Sequence, residues 1–253
     1  MKAIVKHISV IILILGSLYS FSQNNLTIEK ANKLYNEGLY DSSLVLYNSI
    51  LDQNLQSAEL YFNIGNAFFK NNNLPKAILY YEKALKLSPN DEDIKYNLSI
   101  SNSMIVDKIE NVPQLFYKQL WNYFYNRYST NTWAIISIVI WILFLVSLGV
   151  FLLSRSRSKK KFVFYLSVLI FISALISFGL ASQKYYINKE NKEAIIFTPT
   201  ITVKSSPTKN SVDLFVVHEG TKVKIIDRLD NWNKVKIKDG SIGWLPSNSM
   251  ELI

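Results

Sequence analysis

Two histidines, no cysteine and no glycine-rich phosphate loop leave this 253-residue chain little with which to make or break a covalent bond. His7 lies in an apolar N-terminal stretch. His218 stands beside Glu219 at a strand end, where a lone imidazole reads as a solvated turn residue rather than a base or ligand. The absence of cysteine removes disulfides, thiolate metal sites and a Cys nucleophile, and there is no Gly-x-Ser-x-Gly and no metal-spaced acid cluster. No catalytic residue, metal or cofactor is therefore expected, and the chain is expected not to be an enzyme. The remaining chemistry is recognition. Asn32, Asn63, Asn66 and Asn97 offer carboxamides, each with one acceptor and two donors, which can bond an extended peptide as a neighbouring strand would. Tyr35, Phe62, Phe69 and Tyr96 would supply apolar contact beside them. The alternative is that these asparagines are exposed or cap helix ends in a chain rich in Asn. Trp232 and Trp244, near strand ends, either border a binding groove or fill a small core.

Elements of two kinds must position these residues. From Leu26 to about Ile109 apolar residues recur with helical period, and Ala31-Asn32-Lys33-Leu34 aligns with Gly65-Asn66-Ala67-Phe68 at a spacing of 34 residues. The second copy places Tyr61, Ile64, Gly65, Phe68, Ala77, Tyr81, Ala84 and Pro89 in the signature positions of the tetratricopeptide repeat, and residues 23–110 resemble that family. Small residues at Gly65 and Ala77 allow two helices to cross closely, and Pro89 stops the second helix. Asp91, Glu92 and Asp93 open the next helix, where acids favour its dipole. A third unit, from Glu92, supplies one helix only. The resemblance implies that the first helix of each unit faces a concave groove, with Ile28, Asn32 and Tyr35, then Phe62, Asn63, Asn66 and Phe69, then Asp93, Tyr96, Asn97 and Ile100 around it. Where carboxylate-clamping relatives carry Lys or Arg, this chain has Ile28, Asp93 and Asn97, which argues for an internal, partly apolar partner segment. Two and a half units are few for a solenoid, so another surface must cover the end, with Gln114 to Tyr128 a candidate. The better reading of that stripe is an interfacial helix, since Tyr117, Trp121, Phe124 and Tyr128 share one helical face.

Residues 133–153 and 162–181 are uncharged apolar runs of about 20 residues, each long enough to cross roughly 30 Å of hydrocarbon as a helix. The eight residues between them, 154–161, hold five cations and no acid, which favours a transmembrane hairpin with a cytoplasmic loop. Residues 1–22 carry Lys2 and Lys6, the apolar run Ile8 to Leu18, and Ser20 and Ser22 around a cut, the order of a signal peptide. Both signals put residues 23–132 and 182–253 outside the cytoplasm. The formal charge of +9 resides largely in the loop and the N-terminus: residues 23–132 hold 10 cations against 11 acids, and nucleic acid is not an expected partner. Tyr185 and Tyr186 would join Trp121 in an outer aromatic belt at the lipid surface.

After a polar linker, Ser182 to Glu193, the period changes to two. Strands are expected at Ile195-Phe197, Ile201-Val203, Leu214-Val217, Val223-Ile226, Val235-Ile237 and Trp244-Leu245. Val203-Lys204-Ser205-Ser206-Pro207, Gly220-Thr221-Lys222-Val223, Trp232, Asp239-Gly240 and Gly243-Trp244-Leu245 make residues 194–253 similar to a bacterial SH3-like domain. Asp239-Gly240 is a hairpin dipeptide, and Gly243 would let the backbone pass close under Trp244. Ser205-Ser206-Pro207 replaces the family's commoner Ser-Gly-Pro, and there is no acidic, tyrosine-rich first loop for proline-rich ligands.

The fold expected is a multidomain membrane protein comprising an α-helical tetratricopeptide solenoid, a juxtamembrane aromatic helix over 111–132, a transmembrane hairpin and a small all-β SH3-like barrel. That order resembles the BatE-type proteins of bacterial aerotolerance operons. The resemblance implies an inner-membrane protein that works with von Willebrand A-domain partners and a MoxR-type ATPase in stress tolerance or envelope assembly. Two functions are open: a scaffold whose groove holds a partner protein, and a sensor or targeting protein whose SH3-like domain binds peptidoglycan. The topology itself is testable. Reporters fused after Tyr128 and after Ile253 should read as periplasmic and one between Ser158 and Lys159 as cytoplasmic; a cytoplasmic C-terminus would refute the two-span reading.

Overall fold

The computed structural model describes residues 26–109, 115–190 and 192–253, so the expected signal peptide and Gln114 lie outside the described residues. Residues 26–36 form α1, followed by α2 (Tyr40–Leu51), α3 (Ala58–Lys70), α4 (Leu74–Leu87) and α5 (Glu92–Met104). Their boundaries are written locally. Ser57 accepts from the Leu60 amide to start α3, Asn73 from Lys76 to start α4 with Pro75 in the first turn, and Asp91 from Asp93 and Ile94 to start α5. Within the second unit α3 crosses α4 at Gly65, where a Cβ would stand 2.6 Å from the Tyr81 ring. Ala77, Ile78, Leu79 and Tyr81 are fully enclosed in the core that results.

Beyond α5 come α6 (Phe116–Asn126), α7 (Thr130–Leu153) and α8 (Arg157–Glu190). The last two pack side by side and are long and apolar enough to cross a membrane. Ser147 and Ser167 share a hydrogen bond of 2.7 Å between them, and Ser173 and Ser177 bond carbonyls of their own helix. The expected eight-residue loop shrinks to Ser154–Ser156, because Arg157 to Lys161 form the first turns of α8. The expected linker after Ala181 is likewise helical as far as Glu190. Hydropathy marks only the apolar part of a helix, and Lys, Arg and Gln are good helix formers that extend it at both ends.

The C-terminal residues form one antiparallel sheet, β1 (Lys192–Ile196), β2 (Thr200–Lys204), β3 (Asp213–His218), β4 (Lys222–Leu229), β5 (Trp232–Lys236), β6 (Ile242–Pro246) and β7 (Met250–Leu252), in the order β3-β2-β6-β5-β4-β1-β7. It curls around Ala194, Ile196, Val203, Val217, Val223, Val235 and Leu245. All six expected strands form. The added β7 is three residues long and carries too little alternation to be read. Gly240 takes φ +97° in the expected hairpin, and at Gly243 the backbone passes close to β2, where a Cβ would meet the Val203 side chain and lie 2.9 Å from the Lys204 carbonyl.

The sheet docks on the solenoid. Ile195 joins the helical core, with Ile105, Phe197 and Ile253 packed against the same cluster. The candidate cover, α6, leaves its aromatic face exposed, and it is the β domain that covers α4. At Gly220, φ +85°, the backbone passes so close that a Cβ would meet the Ile105 side chain at 2.6 Å. Polar contacts surround it. Lys222 lies 2.9 Å from both Glu82 and Glu193; burial opposes its charge, but the two carboxylates outweigh burial and hold the ammonium above its ordinary range. Lys86 donates to the Ile253 carbonyl at 3.0 Å.

Asp107, just beyond α5, collects three donors from the β domain. The Thr221 hydroxyl (2.6 Å) and the His218 amide (2.7 Å) bond one oxygen and the His218 ring Nδ1 (2.7 Å) the other. The expectation of a solvated turn residue at His218 is therefore overturned. Burial opposes ionisation of Asp107, but the hydrogen bonds from Thr221 and His218 prevail and hold its carboxyl below the ordinary 3.8. A carboxyl depressed in the folded state contributes stability above its unfolded value and loses it as pH falls through the folded one. Docking should accordingly be intact at neutral pH and loosen below about pH 4, the ordinary value being 3.8. Glu82, Glu193 and Glu251 face the same junction, so the comparison with Asp107→Asn isolates this group. Hydrogen exchange of β1 amides should show weaker protection in the variant at neutral pH, by about 1–3 kcal/mol, and a smaller further loss on acidification. Identical pH profiles would exclude Asp107 as the acid-sensitive contact.

Candidate functional site

Helices α1, α3 and α5 present one side of the solenoid, and there the asparagines meet. Asn32 Oδ1 accepts from the Tyr47 hydroxyl at 2.6 Å and from Asn63 Nδ2 at 3.4 Å. One repeat later Asn66 Oδ1 accepts from the Tyr81 hydroxyl at 2.8 Å and from Asn97 Nδ2 at 2.8 Å. The same three-atom arrangement thus recurs with the 34-residue period, carried by the first helices of successive units and by the second helix of each. Burial, with Tyr35 and Glu59 nearby, pushes the Tyr47 phenol up to about 12. Burial and Tyr35 push Tyr81 up as well, against the opposing effect of Asn97. Both phenols stay protonated at physiological pH and are fixed as donors. That fixes which end of Asn32 and Asn66 faces inward: their oxygens serve the fold, and their amino groups remain for a ligand.

Two cavities open beside this network. One, of about 190 Å³, is lined by Tyr35, Asn66, Phe69, Lys70, Tyr81, Asn97 and Ile100. The other, of about 290 Å³, lies among Asn32, Tyr35, Asn36, Tyr47, Glu59, Asn63 and Asn66. They adjoin at Tyr35 and Asn66, so the site is a furrow running across three helices. One end carries an ammonium and the other a carboxylate.

Of the groove residues expected from sequence, Asn32, Tyr35, Asn63, Asn66, Phe69 and Asn97 come together here. Phe62, its ring 5.9 Å from that of Tyr81, lines neither cavity, and Tyr96 is two-thirds exposed outside both. Sequence reasoning missed Asn36, Glu59 and Lys70 as lining residues. Glu59 and Lys70 were within reach, since they lie at i−4 and i+7 from Asn63 and so continue its face of α3. Tyr81 was visible as a repeat position, and Tyr47 stands 34 residues before it, but neither was read as a hydrogen-bond donor to the groove. Trp232 and Trp244, on β5 and β6, are both half-buried in the β domain, with the Lys234 ammonium 5.9 Å from the Trp244 ring.

The Asp107–His218–Thr221 cluster is the other gathering of reactive types. Its hydroxyl proton goes to the carboxylate and not to the imidazole, so the geometry is that of a docking joint, not of a nucleophile with its base. Among the described residues no group of three or more His, Asp or Glu could hold a metal ion.

Comparison with known proteins agrees with this division. Residues 58–91, the second helical unit, match the Tetratricopeptide repeat family, and residues 199–251 match the Bacterial SH3 domain family. The chain carries a tetratricopeptide repeat and a bacterial SH3 domain. Over 58 residues, 23% of its length, it is 41% identical to Tetratricopeptide repeat protein 16 of Macaca fascicularis and of Homo sapiens. That match spans 7% of those relatives' own length.

The network makes a distinction among the asparagines that can be measured. Asn66→Ala removes the acceptor of a buried phenol and should cost about 1–3 kcal/mol in thermal or denaturant unfolding. Tyr81→Phe leaves Asn66 paired with Asn97 and should cost less, about 0.5–1.5 kcal/mol. Equal costs for both would show that the Tyr81 hydroxyl has another acceptor.

Proposed function

We propose that this protein is a membrane-anchored, non-enzymatic scaffold whose tetratricopeptide furrow holds an internal, partly apolar segment of a partner protein. The observation that carries this reading is the furrow itself. It sets amide donors and acceptors in a row beside Tyr35, Phe69 and Ile100, which is the chemistry for an extended backbone with intermittent apolar side chains. Amides, phenols and rings of this kind bind; they do not transfer groups. The two helices of membrane-spanning length support the anchor. The basic stretch at 154–161 and the N-terminal sequence support placing both domains outside the cytoplasm. The order of segments, similar to BatE-type proteins, supports a role in an envelope complex linked to stress or oxygen tolerance. By that resemblance, von Willebrand A-domain proteins and a MoxR-type ATPase are the partners to examine.

A second reading has its own observation, the match of residues 199–251 to the bacterial SH3 family, which favours peptidoglycan as ligand. Docking on the solenoid uses β1, β7 and the His218–Lys222 turn, so β5 and β6 with Trp232 and Trp244 stand apart from that junction.

Photocrosslinking on the full-length protein separates the two. A benzophenone amino acid at Phe69 should capture a defined protein through an internal peptide, while one at Tyr96, outside the furrow, should not. Asn63→Ala with Asn97→Ala should weaken that capture by about 1–3 kcal/mol with helicity unchanged, because neither residue supplies the acceptor for a buried phenol. Retention on insoluble peptidoglycan with no crosslink at Phe69 would replace the scaffold reading by the second.

A further inference from the structure

Helix α6 separates its side chains by kind. Phe116, Tyr117, Leu120, Trp121 and Phe124 follow one another around one side and are exposed at 78, 63, 48, 55 and 60%, while Lys118, Gln119, Asn122 and Asn126 occupy the other. Tyr125 alone is buried. Its carbonyl accepts from the Lys184 ammonium at 2.9 Å and from the Trp133 indole at 3.2 Å, and Lys184 also bonds the Tyr128 carbonyl at 2.6 Å. The ammonium lies 4.9 Å from the Tyr125 ring as well. A cation from the far end of α8 thus caps the C-terminal end of α6, where helix carbonyls lack partners. Lys184 is three residues beyond Ala181, the end of the apolar run, which sets the end of α6 about 4.5 Å above it along the axis of α8. Interfacial helices sit with an apolar face about 5–10 Å into the boundary between headgroups and acyl chains, so this is the level at which they lie. Tyr128, Tyr185 and Tyr186, all more than a third exposed, ring the same level.

We propose that α6 lies on the outer lipid surface with the Phe116–Trp121 face among headgroups and upper acyl chains, and that Lys184 is the positioning residue that holds it there. The proposal rests on reading α7 and α8 as membrane spans. Its occupant is the lipid of the same bilayer, because α6 passes into α7 through three residues and Tyr128 in that connection packs on Trp133 at the start of the span, ring centroids 5.7 Å apart. The helix then fixes the height at which the repeat domain stands above the membrane: Asn90, at the end of the second unit, hydrogen-bonds the Arg127 carbonyl just past α6.

The absence of cysteine makes single-site labelling clean. Spin labels at Tyr117→Cys, Asn122→Cys and Leu143→Cys are read in the full-length protein reconstituted in phosphatidylethanolamine–phosphatidylglycerol vesicles, with oxygen and a water-soluble nickel chelate as collision partners. At position 143 oxygen should dominate, as in hydrocarbon. The oxygen-to-nickel ratio at 117 should be severalfold higher than at 122. With Lys184→Met the contrast between 117 and 122 should collapse while the reading at 143 stays. Oxygen dominance at 143 together with equal nickel access at 117 and 122 overturns the interfacial helix, as does shielding of 117 from both reagents, which would mean a protein cover. Nickel access at 143 overturns the spans and the proposal together. An undiminished contrast in Lys184→Met removes Lys184 from the role.

Discussion

A helical repeat buries its apolar face only against a neighbour, and the shortness of this solenoid is the constraint from which the rest of the structure follows. Two full units and one extra helix leave the outer side of α4 without a successor of its own kind. Ile78 on that helix is fully buried in a cluster against which Ile105, from the segment after α5, and Phe197 and Ile253 of the β domain pack and which Ile195 joins, and Gly220 lies close to both Ile78 and Ile105. The β domain therefore completes the repeat core instead of hanging from it. Burial alone is indifferent to register. The charged contacts set it, since Lys222 must reach Glu82 and Asp107 must meet three donors from one turn, and a shift along α4 would strand those charges in a half-buried junction.

The furrow shows the same economy. Asn32 and Asn66 spend their oxygens on phenols of their own units and on the next unit's asparagine, so the amides that line the furrow also staple one repeat to the next. Because those phenols do not ionise under physiological conditions, the amides do not flip, and the hydrogen-bonding face offered to a ligand is preset. Preset polar groups favour a partner whose own backbone is extended and regular. They also explain why Asn63 and Asn97, which only donate inward, are better probes of binding than Asn66, whose loss would loosen the core.

What could be read from the sequence was whatever is periodic or local. Tyr61 through Pro89 announced the second unit because packing repeats every 34 residues, and the six longer strands announced themselves by alternation. Asn32, Asn63, Asn66 and Asn97 were found as groove residues by the same register. The joint between domains was not legible: Asp107 and His218 are 111 residues apart, neither belongs to a repeat, and their meeting depends on the shape of two surfaces. The reading of His218 as solvated went wrong for that reason. Phe62 and Phe69, seven residues apart on one face of α3, are both partly buried against the helical core, yet only Phe69 lines a cavity, a difference that helical spacing does not resolve. At the ends of α8 the error had another cause, in that hydropathy sees where a helix is apolar while the backbone continues wherever its residues permit, through Arg157–Lys161 on one side and past Lys184 on the other.

The junction also bears on how the chain can sit in a bilayer. The repeats precede α7 and the SH3 domain follows α8, yet Lys222 touches Glu82 at 2.9 Å and Lys184 touches the carbonyl of Tyr125 at the same distance. A single crossing, or three, would put roughly 30 Å of hydrocarbon between those partners. Only an even number of crossings keeps them together, and α7 and α8 supply two helices of sufficient length. The contact between the domains therefore argues for a hairpin independently of the cations at 155–161 and of the N-terminal sequence, since it concerns packing and they concern translocation. Which side of the membrane the domains occupy is a separate matter that packing does not address; there the five cations of the short connection carry the argument, because moving them across the bilayer opposes the ordinary retention of Lys and Arg.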